Sequence, residues 1–369
     1  MTPDDPHNEP ALGAAARVNR FHAGFSESVR GFVEGLRSQF DASDIAALFD
    51  RMKELRVLVI GDTILDDYHF CRTLGTSSKD PALAVQHDSN EMFAGGVLAV
   101  ANHVANFSKQ VRLVSVLGEA ESHRDFIESK LNPGIQAHFV AKQGAPTTLK
   151  RRFIDGYFVN KLFEVYFMDD SPLPAEEEDE LSELVEREVR DCDLVIAADF
   201  GHGAISPSLR GQLSELAPFL AVNTQANAGN RGFHTIGKYA RADFASLSEG
   251  EIRLEFRDTR GDLSPMMESV AERLGTRAFV VTRGQNGCLV RARDGAVLRV
   301  PSFTPRIIDR VGAGDALFAI TSMAAKLGAA PEMIGFIGNV VGGLAVEVLG
   351  NRESIDRRNI EEFIEPMLG

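Results

Sequence analysis

The densest run of residues able to do chemistry is Asp309-Arg310-Val311-Gly312-Ala313-Gly314-Asp315. Small residues at 312–314 let the backbone bend until several N–H groups point at one spot. The apolar stretch that follows, to about Lys326, predicts a helix whose N-terminus adds partial positive charge there. Such a turn is an anion hole, suited to charge developing on a transferring phosphoryl group. Asp315, at its mouth, can accept a hydroxyl proton as general base. Aspartate is also a common helix N-cap, so the four letters GAGD leave both roles open. Two other phosphate motifs are excluded: the glycines do not follow an N-terminal strand at G-x-G-x-x-G spacing, and no Gly-Lys-Ser/Thr ends the run.

The elements that must position this turn are legible as texture. Val57-Leu58-Val59-Ile60, closed by Gly61-Asp62, is a continuous apolar run of the kind buried on both faces of a parallel sheet. Similar runs recur at 111–117, 194–198, 219–222 and 278–282, with helical stretches at 176–190 and 264–274 between some of them. This alternation predicts an α/β fold: a doubly wound, mostly parallel sheet with helices on both faces. Ligands in such sheets sit beyond the carboxyl ends of the strands, where Asp62, Asp199 and Thr282-Arg283-Gly284 fall. Period-two apolar spacing in 66–92 and 137–168 predicts extra antiparallel strands, a small β lid over one edge. Residues 1–20 have no apolar period and read as a disordered tail. Residues 21–55 read as a helical extension, capped at Ser43 or Asp44, with Ile45, Leu48, Met52 and Leu55 on one side. That side either packs on the main domain, residues 56–369, or meets a partner.

Composition narrows the function classes. Lys and Arg number 39 against 53 Asp and Glu, a formal charge of −14, so binding to a nucleic-acid backbone is not expected. Three scattered cysteines, Cys71, Cys192 and Cys288, suit neither a disulfide framework nor a zinc cluster. No apolar run reaches the roughly 18 residues of a membrane span, and the acidic N-terminus lacks the layout of a secretory signal. A cytoplasmic protein without membrane or nucleic-acid partners is the expectation.

Further short motifs fall in order along the chain. Val59-Ile60-Gly61-Asp62-Thr63-Ile64-Leu65-Asp66-Asp67-Tyr68 opens it. Ala94-Gly95-Gly96 with Val100-Ala101-Asn102, Pro146-Thr147 with Lys150 and Arg152, Ala198-Asp199-Phe200-Gly201-His202-Gly203-Ala204, and Val281-Thr282-Arg283-Gly284 with Gly287 follow. With the final GAGD turn, this series resembles the ribokinase-like (phosphofructokinase-B) sugar kinases from about Arg56 to Leu349. It is most similar to the heptose-7-phosphate kinase branch, the kinase half of ADP-heptose synthases. The resemblance implies ATP-dependent phosphorylation of a sugar or sugar phosphate, with Asp315 as base and the backbone of Gly312, Ala313 and Gly314 as anion hole. It puts Asp62, Asp66, Gly95, Gly96, Asn102 and Asp199 on the acceptor side, with Lys150 and Arg152 able to clamp a phosphate already on the sugar. Ser248, Glu251, Thr282, Arg283, Gly284, Gly287 and Asn339 fall on the nucleotide side. ATP and Mg²⁺ are implied, with Glu251 toward the metal, as are a monovalent cation such as K⁺ near Asp309 and a homodimer through the lid.

The chain also departs from that pattern. The lead-in to the turn carries Arg310, a cation able to assist phosphate binding or to displace the monovalent ion. Ala99 stands for an Asn, Ser248 for the Asn of Asn-x-x-Glu, Asn223-Thr224-Gln225 for Asp-Pro-Lys, and His202 for a Lys. These changes fit a different acceptor, or a catalytically diverged protein that binds a sugar phosphate or nucleotide and regulates a partner. A nucleoside kinase of the same superfamily is a third reading.

Overall fold

The structure, a computed structural model, describes residues 26–157, 160–303 and 307–369. The expected tail and the start of the extension lie outside the described residues. Helix α1 (Glu27–Arg37) begins at Ser26, whose hydroxyl accepts the Val29 N–H. Helix α2 (Ala42–Met52) begins not at Ser43 or Asp44 but at Asp41. The Asp41 carboxylate takes the N–H groups of Ser43 and Asp44, and the Asp44 side chain returns to the Asp41 N–H. Ile45, Leu48 and Met52 are buried as their spacing required. They join one core with residues of the main domain, Phe49 meeting Phe107 edge-on at 5.1 Å. The extension packs on its own chain.

Strand β1 (Arg56–Thr76) is followed by β2 (Leu83–Gly96), α3 (Val97–Ala105), β3 (Gln110–Ala120), α4 (Arg124–Lys130), β4 (Ile135–Pro146), β5 (Leu149–Asp155) and β6 (Asn160–Phe167). Then come α5 (Ala175–Val189), β7 (Leu194–Asp199), α6 (Pro207–Leu216), β8 (Leu220–Thr224), β9 (Phe244–Ser248), α7 (Glu249–Phe256), α8 (Leu263–Leu274) and β10 (Ala278–Thr282). Strands β11 (Cys288–Arg291) and β12 (Val297–Val300) and helices α9 (Ala313–Lys326), α10 (Pro331–Ala345) and α11 (Arg357–Leu368) complete the order. The central sheet runs β12-β11-β10-β9-β8-β7-β1-β3-β4. It is parallel from β10 to β4, and β11 and β12 are antiparallel. One face is covered by α1–α3 and α9–α11, the other by α5–α8. No helix among the described residues is long and apolar enough to cross a membrane.

The strand order reverses at β1, which continues to β3 and β4 on one side while β7 to β10 extend on the other. That reversal opens a crevice at the carboxyl ends of the strands. The outer half of β1 leaves the central sheet and builds the lid with β2, β5 and β6. The lid differs from the expected one in two ways. Residues 137–146 belong to β4, paired parallel with β3 in the central sheet. As an edge strand with one wetter face, β4 alternates apolar and polar residues just as a lid strand does. Strand β5 also runs parallel to β1 rather than antiparallel.

Candidate active site

The turn before α9 is built as its letters suggest. Gly312 is the helix N-cap at φ 82°, and a Cβ there would lie 2.0 Å from Asn351 Oδ1, so only glycine fits. No side chain caps α9, and its first helical hydrogen bond runs from the Ala316 N–H to the Gly312 carbonyl. The N–H groups of Ala313, Gly314 and Asp315 are therefore left for a ligand. Asp315 is three residues past the cap and does not cap the helix. Its carboxyl forms no hydrogen bond or ion pair with the described residues and lines a cavity of about 580 Å³. Burial, then the charges of Asp66 and Glu251, push it up to about 7 against the opposing pull of Lys150.

Lid residues form one wall of this cavity. Asp66, from the outer half of β1, is buried in a hydrogen-bonded ion pair with Arg152, whose Nε also holds Glu164 at 3.0 Å. Gly95 allows this: a Cβ there would lie 2.3 Å from Asp66 Oδ2. Lys150, 7% exposed, lies over the Tyr166 ring at 5.5 Å, and burial lowers its proton affinity. The opposite wall comes from the strand ends. Gln225 and Arg231 reach in from the polar 225–231 segment, which Asn227 and Asn230 tie to the Phe200 carbonyl. Ser248 and Glu251, expected on the nucleotide side, instead line this cavity, because their side chains close a reciprocal capping box on α7 at its wall; burial raises the Glu251 carboxyl. Lys150, Arg231 and Arg310 have no carboxylate partner among the described residues. They share the lining with the carboxyls of Asp315 and Glu251.

A second cavity of about 430 Å³ lies on the far side of the turn, lined by Thr282, Gly284, Gly287, Gly338, Asn339 and Gly342. Arg283 lines it too, with its guanidinium held by Glu249 at 3.1 Å. Asn339 is fixed by its amide N–H groups to Cys288 Sγ and the Gly335 carbonyl, both at 3.0 Å. The two cavities share Arg310 and Gly314. A group passing between them must cross the N-terminus of α9.

Not every expected residue reaches the cleft. Asp62 accepts the N–H groups of Phe200 and Ala204 at 2.8 and 2.9 Å, shaping the loop after β7 from below. Asp199 is buried against the Tyr239 hydroxyl and His234. Asn102 ties its amide to the Lys130 carbonyl and the Asn132 N–H. His202 is held by Asp170 at 2.8 Å and lines neither large cavity. Arg231, Gln225 and Tyr166 line the cavity without having been singled out as contacts. In the sequence Gln225 shows only as the end of the Asn223-Thr224-Gln225 departure, and the polar run that follows it, Ala226-Asn227-Ala228-Gly229-Asn230-Arg231, is the one sign of Arg231.

The two metal expectations separate. Among the described residues no three His, Cys, Asp or Glu side chains gather to hold an ion. Mg²⁺ commonly arrives on nucleotide phosphates with one or two protein carboxylates. Glu251, whose Oε2 accepts the Ser248 N–H at 2.6 Å and which lines the cavity under the lid, has lone pairs left to face such an ion only across the turn. Asp309 does not fit a cation. It accepts the Tyr68 hydroxyl at 2.6 Å, the Gly350 and Val311 N–H groups at 3.0 and 3.2 Å, and Lys161 Nζ at 3.4 Å.

Comparison with known proteins agrees with this architecture. A profile of the pfkB family of carbohydrate kinases matches residues 54–358. The bifunctional protein HldE of Pelobacter propionicus is 24% identical over 316 residues, covering 84% of this chain and 63% of that protein. Its Stutzerimonas stutzeri counterpart is 26% identical over 302 residues, covering 81% and 62%. The chain thus spans less than two thirds of these relatives. Among solved structures, phosphofructokinase-2 of Escherichia coli in complex with fructose-6-phosphate superposes with TM-score 0.67 at 13% identity, covering 85% of this chain and 99% of that one. Ribokinase of Thermotoga maritima gives 0.65 at 18%, covering 84% and 99%.

Proposed function

We propose that this chain, which belongs to the pfkB family of carbohydrate kinases, moves the γ-phosphoryl group of ATP onto a hydroxyl of a phosphorylated sugar of the heptose-phosphate kind. One observation carries the reading: an unpaired carboxyl, Asp315, raised to about 7, stands beside free helix N–H groups where two cavities meet. The nucleotide takes the cavity of Thr282, Gly284 and Asn339, and the sugar takes the one under the lid. The acceptor hydroxyl attacks the γ-phosphorus, its proton passes to Asp315, and the bond from phosphorus to the β-phosphate oxygen breaks to release ADP. The N–H groups of Ala313 and Gly314 and the Arg310 guanidinium hold the charge spread over the phosphoryl oxygens. Mg²⁺, when bound, would neutralise charge on the nucleotide phosphates, with Glu251 the carboxylate able to face it across the turn.

Lys150 and Arg231 support a phosphate-bearing acceptor. Both are cations at the cleft without carboxylate partners, as a dianionic ligand requires. The outer face of the lid exposes Leu74, Leu83, Phe163, Val165 and Phe167, which supports a homodimer formed through it. ATP as donor is consistent with work in the cytoplasm. The test is ADP release over heptose, hexose and pentose phosphates, the free sugars and nucleosides. Turnover favouring a sugar phosphate is expected; turnover on nucleosides alone overturns the acceptor assignment, and ligand binding with no ADP release from any of them overturns the reaction.

A further inference from the structure

We infer that Lys161 of the lid occupies the place of the monovalent cation beside the anion hole, so that this kinase works without potassium. The inference rests on the Asp309–Asp315 turn being the phosphoryl-transfer turn.

An inorganic cation is held by oxygen lone pairs. A carboxylate offers about four lone-pair sites, and at Asp309 four donors meet them. Oδ2 accepts the Tyr68 hydroxyl at 2.6 Å and the Gly350 N–H at 3.0 Å. Oδ1 accepts the Val311 N–H at 3.2 Å and faces Lys161 Nζ at 3.4 Å. The next acceptor along the adjoining loop, the Val346 carbonyl, already takes the N–H groups of Ile308 and Asp309. A potassium ion here would have to evict a donor and sit beside an ammonium. The chemistry of the set is that of an anion already neutralised. Lys161 also lies 6.0 Å from the centre of the Tyr68 ring, whose hydroxyl burial and the Asp309 charge keep protonated. The same donors outweigh burial and hold the Asp309 carboxyl below its ordinary value. Arg310, the residue whose sequence position suggested displacing the ion, instead lines the two large cavities.

The substitution also changes what the site reports. A dissolved ion is independent of the lid, whereas Lys161 sits on β6 and Tyr68 on the outer half of β1, both lid strands. Asp309 in turn fixes the Val311 N–H, one residue before Gly312. Lys161 is therefore a positioning residue: it couples the seating of the lid to the shape of the anion hole.

The experiment compares potassium-free and potassium buffers at equal ionic strength, with N-methylglucamine as the replacement, at about 100 mM. ATP affinity by calorimetry and melting temperature are read beside ADP release, so the result stands even if the acceptor has been misassigned. Wild type is expected to change less than about threefold in affinity and turnover. Lys161→Met, checked for folding by its melt, is expected to lose about tenfold and to recover with potassium, while Lys161→Arg stays near wild type. Potassium stimulation of wild type by about threefold or more, or a Lys161→Met enzyme as active as wild type without potassium, overturns the inference.

Discussion

Asp315→Asn should separate stability from catalysis. Its carboxyl is held at about 7 in the folded protein against an ordinary 3.8, roughly three decades of proton affinity, or about 4 kcal/mol as an upper bound. The side chain is only part-buried, so solvent screening reduces the measurable penalty to about 1–3 kcal/mol. The sign follows from linkage. Above about pH 7 the carboxyl is ionised in both states and the folded state bears the whole penalty. Toward pH 4 both states become protonated and the penalty vanishes. A neutral amide of the same shape removes it. Asp315→Asn should therefore be more stable than wild type in urea titrations at pH 8, with the difference shrinking steadily toward pH 4. In the same preparation ADP release should fall by at least about 10²-fold, the usual span for loss of a general base. A variant that is less stable at pH 8, or whose stability difference is the same at every pH, would refute the electrostatic reasoning. A variant with wild-type turnover would remove Asp315 from the mechanism.

Three other outcomes follow from the same geometry. Lys150→Met takes away the charge that pulls the Asp315 proton affinity down, so the acidic limb of kcat/KM, expected near pH 7 in wild type, should move to higher pH; a limb that stays put excludes that coupling. Arg231→Ala should raise KM for phosphorylated acceptors by about 10- to 100-fold through loss of a charge-assisted contact, and leave unphosphorylated sugars unaffected. Gly312→Ala, forced to φ 82° with its Cβ 2.0 Å from Asn351 Oδ1, should lower the melting temperature and abolish turnover; a stable, active alanine variant would mean the turn is not rigidly required.

How far the sequence disclosed this arrangement depends on whether a residue's task is local. The buried strands and the helix after the turn were legible because continuous apolar runs and a glycine-rich stop are written in adjacent residues. β9 left no comparable mark, since Ala and Ser interrupt its five residues, Phe244–Ser248. β4 was assigned to the lid because an edge strand and a lid strand share the same alternation. Among site residues, those contacting a ligand through backbone, Gly312 to Gly314, were visible as glycines. Asp62, Asp199 and Asn102 are polar groups at or near strand and helix ends, the positions where ligand contacts and loop-fastening bonds look alike in one dimension. Only their partners, the N–H groups of Phe200 and Ala204, the Tyr239 hydroxyl, and the Lys130 carbonyl with the Asn132 N–H, tell the two apart. Lys161 and Arg231 were hidden because their significance arises from contacts across the fold, Lys161 lying 148 positions from Asp309.

The central claim is that the N-terminus of α9 receives the phosphoryl group while Asp315 receives the proton. It is tested most directly by a crystal structure with ADP, aluminium fluoride and the sugar phosphate that turns over best. The account predicts the planar fluoride on the N–H groups of Ala313 and Gly314, with the acceptor hydroxyl within about 3.2 Å of the Asp315 carboxylate. A complex in which Asp315 faces no hydroxyl, or in which the fluoride lies away from that turn, would contradict it.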